Sequence, residues 1–435
     1  MKILNLCAAD YGGAGIAAMR IHTNLRSAGV DSRMLVLDKR TNDSWTEPLL
    51  DSRNPFRLWR IFHKIFLKVS SLSDYYFQRQ NLSPELPLKV LRKKIDFEPD
   101  VIVAHVLSHF LSPRDVLKIH KITNAPVIWN LMDMAAFTGG CHYAWSCRRY
   151  EERCGDCPAL RLRSDGDVSR KVWQEKSDVM SAMNMAVIAA SSLLHEQATR
   201  SNLFRGSRIE TILLAVDPET FHQRDRCEAK RILGLSDNKR VIFFGAQKLK
   251  NRRKGMDYML EALSRLADIP AIDCNSIQIV TAGNISELGA LERMRYSHKH
   301  LGYIHGDAQL ALVYQAADVF VCPSIQDSGP MMINESMMCG TPVVAFKMGV
   351  ASDLIIPGVT GYIAKLMDAC DLAAGIASVT SLNEEKSAEM SDRCREHALA
   401  LCHPLNQAKK LIQFFSSISK RDDIKTAVDE ESRVN

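Results

Sequence analysis

Short apolar runs alternate with helical stripes along the whole chain. "KILNLCA" at the N-terminus is continuous enough for a strand buried on both faces. It gives way at "DYGGAG" to Ala14, Ala17, Ala18, Ile21, Leu25 and Ala28, which recur at helical spacing as far as Gly29. Further strands are predicted at "SRMLVLD", "DVIVAHV", "APVIWNL" and "MAVIAAS", and a second series at "RVIFFGA", "IQIVTAG", "DVFVCPS", "TPVVAF" and "GYIAK". Apolar strands separated by amphipathic helices specify the α/β class with parallel sheets, here two doubly wound domains. A charged, Pro-containing stretch near residues 205 to 225 reads as the linker. The boundaries are then 1–205 and 206–403, followed by a helix over 404–419 and a disordered polar tail over 420–435. In such sheets ligands bind at the carboxyl ends of the strands, and two domains place the expected site in a cleft that both face.

Composition sharpens this only in places. A chain of 435 residues is too long for one ordinary core, and 46% apolar with 24% charged residues is a globular balance. No segment approaches the roughly 18 apolar residues of a membrane span. The first apolar run stops at Asp10, too soon for a secretory signal, so a cytoplasmic chain is expected. Twelve cysteines in a reducing compartment do not suggest a disulfide framework. A net charge of +6 favours anionic partners such as phosphates or lipid headgroups without demanding nucleic acid. The segment 54–71 carries Phe56, Trp59, Phe62, Ile65 and Phe66 on one face among basic residues. That face suits the cover of a sheet, or peripheral contact with an anionic membrane surface.

Three motifs carry chemistry. In "YGGAG" the backbone amides of Gly12, Gly13 and Ala14, followed by Gly15, can approach an anion where a helix begins. The full G-x-G-x-x-G pattern is absent, so a packing turn is the alternative. "GAQKLKNRRKGMDYMLEAL" places Lys248, Lys250, Arg252, Arg253 and Lys254 between a strand and a helix, where charge-assisted hydrogen bonds would hold a diphosphate. "PSIQDSGPMMINESMMCGTPVVAF" has Asp327 and Ser328 in the loop after a strand, Pro330 suited to a first helical position and Glu335 on the helix. Carboxylates there can accept hydrogen bonds from pairs of sugar hydroxyls. A carboxylate pair would also suit glycoside hydrolysis, and capping or surface roles are the ordinary alternative.

The spacing C-x5-C-x6-C-x2-C over Cys141, Cys147, Cys154 and Cys157 supplies enough thiolates for a closed tetrahedral zinc site of structural type. Idle packing thiols and a redox pair are the other readings. "CGDC" lacks the strand-to-helix setting of a thioredoxin motif, which leaves zinc favoured. A zinc-dependent nucleic-acid binder would account for the basic run and the cysteines together. The run belongs to a strand-end turn and not to an exposed helix, so no nucleic-acid partner is expected.

The combination of "YGGAG", "RRKG" and "SIQDSGPMMINESMMCGTPVVAF" with "GVASDLIIPGVTGYIA" resembles glycosyltransferase family 4 over nearly the whole chain. These are retaining nucleotide-sugar transferases of the GT-B fold, two Rossmann-like domains facing a cleft. "LMDMAAFTGGCHYAWSCRRYEERCGDCPAL" is similar to the cysteine-bearing branch typified by bacterial exopolysaccharide transferases such as those of colanic acid synthesis. The resemblance implies that Arg253 and Lys254 hold the donor diphosphate, with Lys248 and Ser328 on the phosphate side. Glu335 would bind the nucleotide ribose and Asp327 the donor sugar. It implies catalysis without a metal cofactor, and a glycan or polyprenyl-linked glycan acceptor at the inner face of the plasma membrane. The helix 404–419 would cross back to the first domain.

Two positions depart from the family pattern. Asp327 stands in the first place of E-x7-E, one methylene short. Met132 stands where the family carries a histidine, and methionine neither donates a hydrogen bond nor transfers a proton. Asp133 or His142 is expected to take over that role; otherwise the chain binds a nucleotide sugar without turning it over. Thr138, Gly139, His142 and His105 are expected on the acceptor side.

Overall fold

The computed structural model describes residues 1–50, 72–77, 85–249, 251–284 and 289–431. The aromatic segment 54–71 and Lys250 of the basic run lie outside the described residues. Two compact units result, Met1–Leu213 with Gln407–Asn435, and Leu214–Asn406.

The first unit is built on seven parallel strands in the order β3-β2-β1-β4-β5-β6-β7. They are β1 (Lys2–Ala9), β2 (Asp31–Asp38), β3 (Thr46–Pro48), β4 (Val101–Ala104), β5 (Val127–Leu131), β6 (Met185–Ala189) and β7 (Arg208–Thr211). Helices on both faces bury the central strands completely, which is why their sequences read as unbroken apolar runs. The order reverses between β1 and β4, and their carboxyl ends diverge there to leave a crevice. β7 moves the boundary. "RIET" falls in the expected linker, yet it pairs with β6 from Ala186↔Arg208 to Ala189↔Thr211 and closes the edge of the first sheet. Edge strands carry polar residues, so this one shows no apolar run.

A helix Pro404–Glu431 follows, longer than the 404–419 expected, because nothing in "KRDDIKTAVDEE" breaks it. Asn24 donates to Gln407 Oε1 at 3.0 Å and Arg208 donates to Ser417 Oγ at 2.6 Å, so this helix is tied to the first unit.

The second unit has six parallel strands in the order β10-β9-β8-β11-β12-β13. They are β8 (Arg240–Lys248), β9 (Ile277–Asn284), β10 (Ser297–His300), β11 (Val319–Cys322), β12 (Val343–Phe346) and β13 (Gly361–Ala364). Phe243 of β8 faces Phe320 of β11 in register, and Tyr314 packs edge-on against both rings at 5.5 and 5.4 Å. Each buried ring contributes roughly 1.5–3 kcal/mol by leaving water. At the amino ends of the same strands, Asp318 gathers Lys230 and Arg240 at 3.0 Å and Arg226 at 3.4 Å. The strand order reverses between β8 and β11, so this unit too has its crevice at a defined place, and the basic run and Asp327 both follow the strands that flank it.

Candidate active site

β8 ends at Lys248 and the chain enters a tight turn, Arg252–Lys254, closed by Gly255 at φ 72°. A side chain at Gly255 would place its Cβ 1.7 Å from the carbonyl oxygen of Pro323, so only glycine lets this turn lie on the end of β11. Ile325 N–H donates to the Arg253 carbonyl at 2.8 Å and joins the two strand ends. From this base Lys254 Nζ reaches Asp327 Oδ2 at 2.5 Å and Arg253 Nη1 reaches the same oxygen at 3.1 Å. The other oxygen accepts from Ser328 N–H at 3.0 Å. Burial pushes the Asp327 carboxyl up, but the Lys254 and Arg253 cations outweigh it and hold the group below the usual carboxylate range. Two cations facing one carboxylate leave a positive surplus at the strand end, the condition for accepting an anion. Lys248 is exposed at the end of β8.

Glu335 lies on the helix Met331–Met338 and is buried, with Tyr314 Oη donating to Oε2 at 3.3 Å. Burial and then the Glu335 charge push the Tyr314 phenol well above its ordinary value, so it stays a donor.

In the first unit the "YGGAG" glycines divide into two jobs. Gly15 is a packing residue, since a Cβ there would meet the Ala9 carbonyl oxygen at 2.6 Å. Gly12, at φ 73°, and Gly13 have open space where a Cβ would stand. Ala14 follows within the helix Gly12–Ser27. Beside the turn, Asp10 accepts from the backbone of Arg40 and Thr41, both at 2.8 Å, and Arg40 stacks over the Tyr11 ring at 3.6 Å.

At the ends of β4 and β5 the structure assembles Asp133, His142 and Ser108. His142 Nδ1 lies 2.6 Å from Asp133 Oδ2 and its Nε2 lies 3.1 Å from Ser108 Oγ. Burial raises the Asp133 carboxyl, but His142, the Ala135 N–H and Lys176 more than reverse it. The Asp133 carboxylate can only accept, so Nδ1 is the donor to it and Nε2 is the nitrogen that faces the Ser108 hydroxyl. Ser108 was not among the residues singled out from sequence, because nothing in "VLSHF" marks it.

His105 belongs to a different network. Its Nδ1 is 2.9 Å from Asn130 Nδ2 and its Nε2 is 3.0 Å from Asn5 Oδ1. Asn130 must donate, so the Nε2–H donates onward to Asn5. Asn5 gives to Ser32 at 2.8 Å, Ser32 meets His22 Nδ1 at 2.8 Å, and His22 Nε2 ends 3.4 Å from Asp43. The hydrogen-bonded chain runs from Asn130 to His22, whose Nε2 makes no hydrogen bond of its own among the described residues. Burial, reinforced by His22, drops the His105 pKa to about 3, so the ring is neutral. Its two ring nitrogens are committed within the sheet.

Thr138 and Gly139 do not line a surface. Both are buried: Thr138 donates to the Cys141 carbonyl at 2.6 Å, and Gly139 N–H donates to Cys154 Sγ at 3.1 Å. They support the wall that carries His142. Beneath them Lys176, 1% exposed, donates to the Ala135 and Thr138 carbonyls. Burial brings its pKa down to about 8. Sequence could have flagged Lys176, which stands among Val172, Trp173, Val179 and Met180 on the apolar stripe of its helix. Cys141, Cys147, Cys154 and Cys157 all border one small cavity in this wall. Among the described residues no group of three or more His, Cys, Asp or Glu stands in metal-holding geometry.

Two doubly wound parallel sheets in one chain match the GT-B fold of solved structures. Residues 225–398 match the family model of "Glycosyl transferases group 1". D-inositol 3-phosphate glycosyltransferase of Mycobacterium sp. (strain KMS) is 27% identical over 283 residues, 63% of this chain and 60% of that relative's length. Among solved structures, HepE of Anabaena in complex with UDP-glucose superposes with a TM-score of 0.61 at 18% identity, covering 96% of this chain and 100% of that one. Sucrose-phosphate synthase of Thermosynechococcus elongatus gives a TM-score of 0.63, also at 18% identity, covering 96% and 98%. Among the described residues no helix is long and apolar enough to cross a membrane.

Proposed function

We propose that the chain is a retaining glycosyltransferase of family 4 that moves a sugar from a nucleoside-diphosphate donor to a glycan or lipid-linked glycan, in the assembly of a cell-surface polysaccharide. The observation that carries this reading is the cation pair Arg253 and Lys254, fixed on a glycine-locked turn against Asp327 within the matched family domain. Departure of a nucleoside diphosphate leaves negative charge on the β-phosphate. Preorganised cations at that point stabilise the transition state, and losing one such fixed donor costs on the order of 10²–10³ in rate. These side chains make a divalent ion at the diphosphate unnecessary. Glu335 would accept hydrogen bonds from the ribose and Asp327 from the sugar, while the exposed Lys248 and the Ser328 backbone border the phosphates. HepE, crystallised with UDP-glucose, makes a UDP-sugar the first donor to test.

On the acceptor side, Asp133 and His142 supply the proton-handling group that Met132 lacks. A carboxylate-oriented imidazole with a hydroxyl already at Nε2 is arranged to accept a proton from an attacking hydroxyl. Met132 also sustains a second reading, a donor-binding protein without turnover. The two part in one experiment, a thermal-shift panel of nucleoside diphosphates and their sugars followed by product analysis. A donor at 100 times its Kd stabilises the native state by about 2.7 kcal/mol. Binding with sugar release supports the enzyme, and binding with none supports the second reading.

A further inference from the structure

We propose that Cys141, Cys147, Cys154 and Cys157 are the ligands of a structural zinc ion within the first unit, independent of whether the chain transfers sugar. All four border a single cavity of about 10 Å³, room for one small guest. The pair Cys154 and Cys157 sits on a tight knuckle, with Gly155 at φ 139° and Asp156 at φ 40° turning the chain back so that both sulfurs serve one side. The knuckle has no slack, since a Cβ on Gly155 would meet the Asp165 carbonyl oxygen at 2.5 Å.

The surroundings of the sulfurs are those a thiolate requires. Gly139 N–H donates to Cys154 Sγ at 3.1 Å, and a Cβ there would stand 2.8 Å from Cys154 Cβ, so the glycine is what admits this contact. Hydrogen bonds of this kind orient metal ligands and temper their charge. Zinc with four thiolates carries a net charge of −2, which an apolar interior does not tolerate without a cation. Lys176, buried beneath the wall and donating to the Ala135 and Thr138 carbonyls, is such a cation.

Four sulfurs close a tetrahedral shell and exclude the open position of a catalytic zinc. Because the sulfurs do not yet stand in metal-holding geometry, binding requires side-chain rotations that bring them to about 2.3 Å from a common centre. Each thiol then gives its proton to the solvent as its sulfur takes the ion. The ion would order the segment that carries His142, the immediate neighbour of Cys141.

The test is elemental analysis of the full chain prepared without chelator or histidine tag, followed by stripping and titration with cobalt(II). One zinc per chain is expected, with the thiolate charge-transfer and tetrahedral d–d bands of cobalt reaching their end point at one equivalent. Cys157→Ser and Cys141→Ser lose the metal, Cys227→Ser, at an exposed cysteine, keeps it, and Lys176→Met weakens affinity about 10–100-fold. A metal-free chain whose cobalt titration shows no thiolate bands overturns the proposal, as do disulfides among these four cysteines or metal retained by Cys157→Ser. If the serine variants do not fold, the cobalt titration of the stripped wild type decides.

Discussion

Lys254 Nζ lies 2.5 Å from Asp327 Oδ2, and that oxygen is shared with Arg253. A carboxylate held by two cations keeps one partner when the other is removed. Lys254→Met is therefore expected to fold and to lose on the order of 10²–10³ in transfer rate, the cost of one preorganised donor. Initial rates beside circular dichroism check this, and an unchanged rate would remove Lys254 from the chemistry.

Gly255 fixes where those cations stand. Gly255→Ala meets the Pro323 carbonyl oxygen and a left-handed φ together, so a loss of stability of at least about 1–3 kcal/mol is expected. Weaker donor binding should accompany it. Gly13→Ala has open space and an ordinary φ, so denaturant unfolding should show almost no change. The two variants, compared by midpoint and by nucleotide-induced thermal shift, separate the turn that positions from the turn that is merely accessible.

Asp318 provides a control remote from the strand ends that carry the cation pair. Asp318→Asn leaves Lys230, Arg240 and Arg226 without their counter-charge, a loss of about 3–5 kcal/mol for a broken buried pair. Urea unfolding measures it. Donor affinity of the folded fraction should be unaffected.

Acid stability follows from two kinds of group. The His105 pKa falls from an ordinary 6.5 to about 3 in the fold, and that of His22 is lowered as well, mainly by burial. A depressed histidine adds stability above its unfolded pKa, and that contribution is lost as pH falls through the interval below it. Between about pH 6.5 and 3, His105 alone should cost about 1.4 kcal/mol per pH unit. Asp327 and Asp318 are also depressed, so their contributions persist until pH falls below the ordinary carboxylate range and then fade. Unfolding titrations at stepped pH should show stability falling before any carboxylate protonates, with a shallower slope in His105→Gln. Flat stability from pH 7 to 5 would contradict the neutral buried ring.

Much of this was legible in the sequence. Apolar runs located β1, β2, β4, β5 and β6 and the main strands of the second sheet, because strands buried on both faces admit no polar residue. "RIET" was missed because an edge strand with one wet face has no such run. That Arg253, Lys254 and Asp327 come together was readable because each belongs to a motif at a strand end. Asp133 and His142 were legible within one motif, whereas Ser108 was not, since it comes from a separate segment after β4. Thr138 and Gly139 were assigned by proximity in sequence to the acceptor side, whereas burial turns them inward to Lys176 and Cys154.

The central claim is donor turnover in the second unit. Its most direct test is nucleoside diphosphate release from a panel of nucleotide sugars with a lipid-linked glycan acceptor, wild type against Glu335→Ala. Release from at least one donor is expected, falling by about 10²-fold or more in the variant. Tight nucleotide binding with no sugar released from any donor would contradict the account.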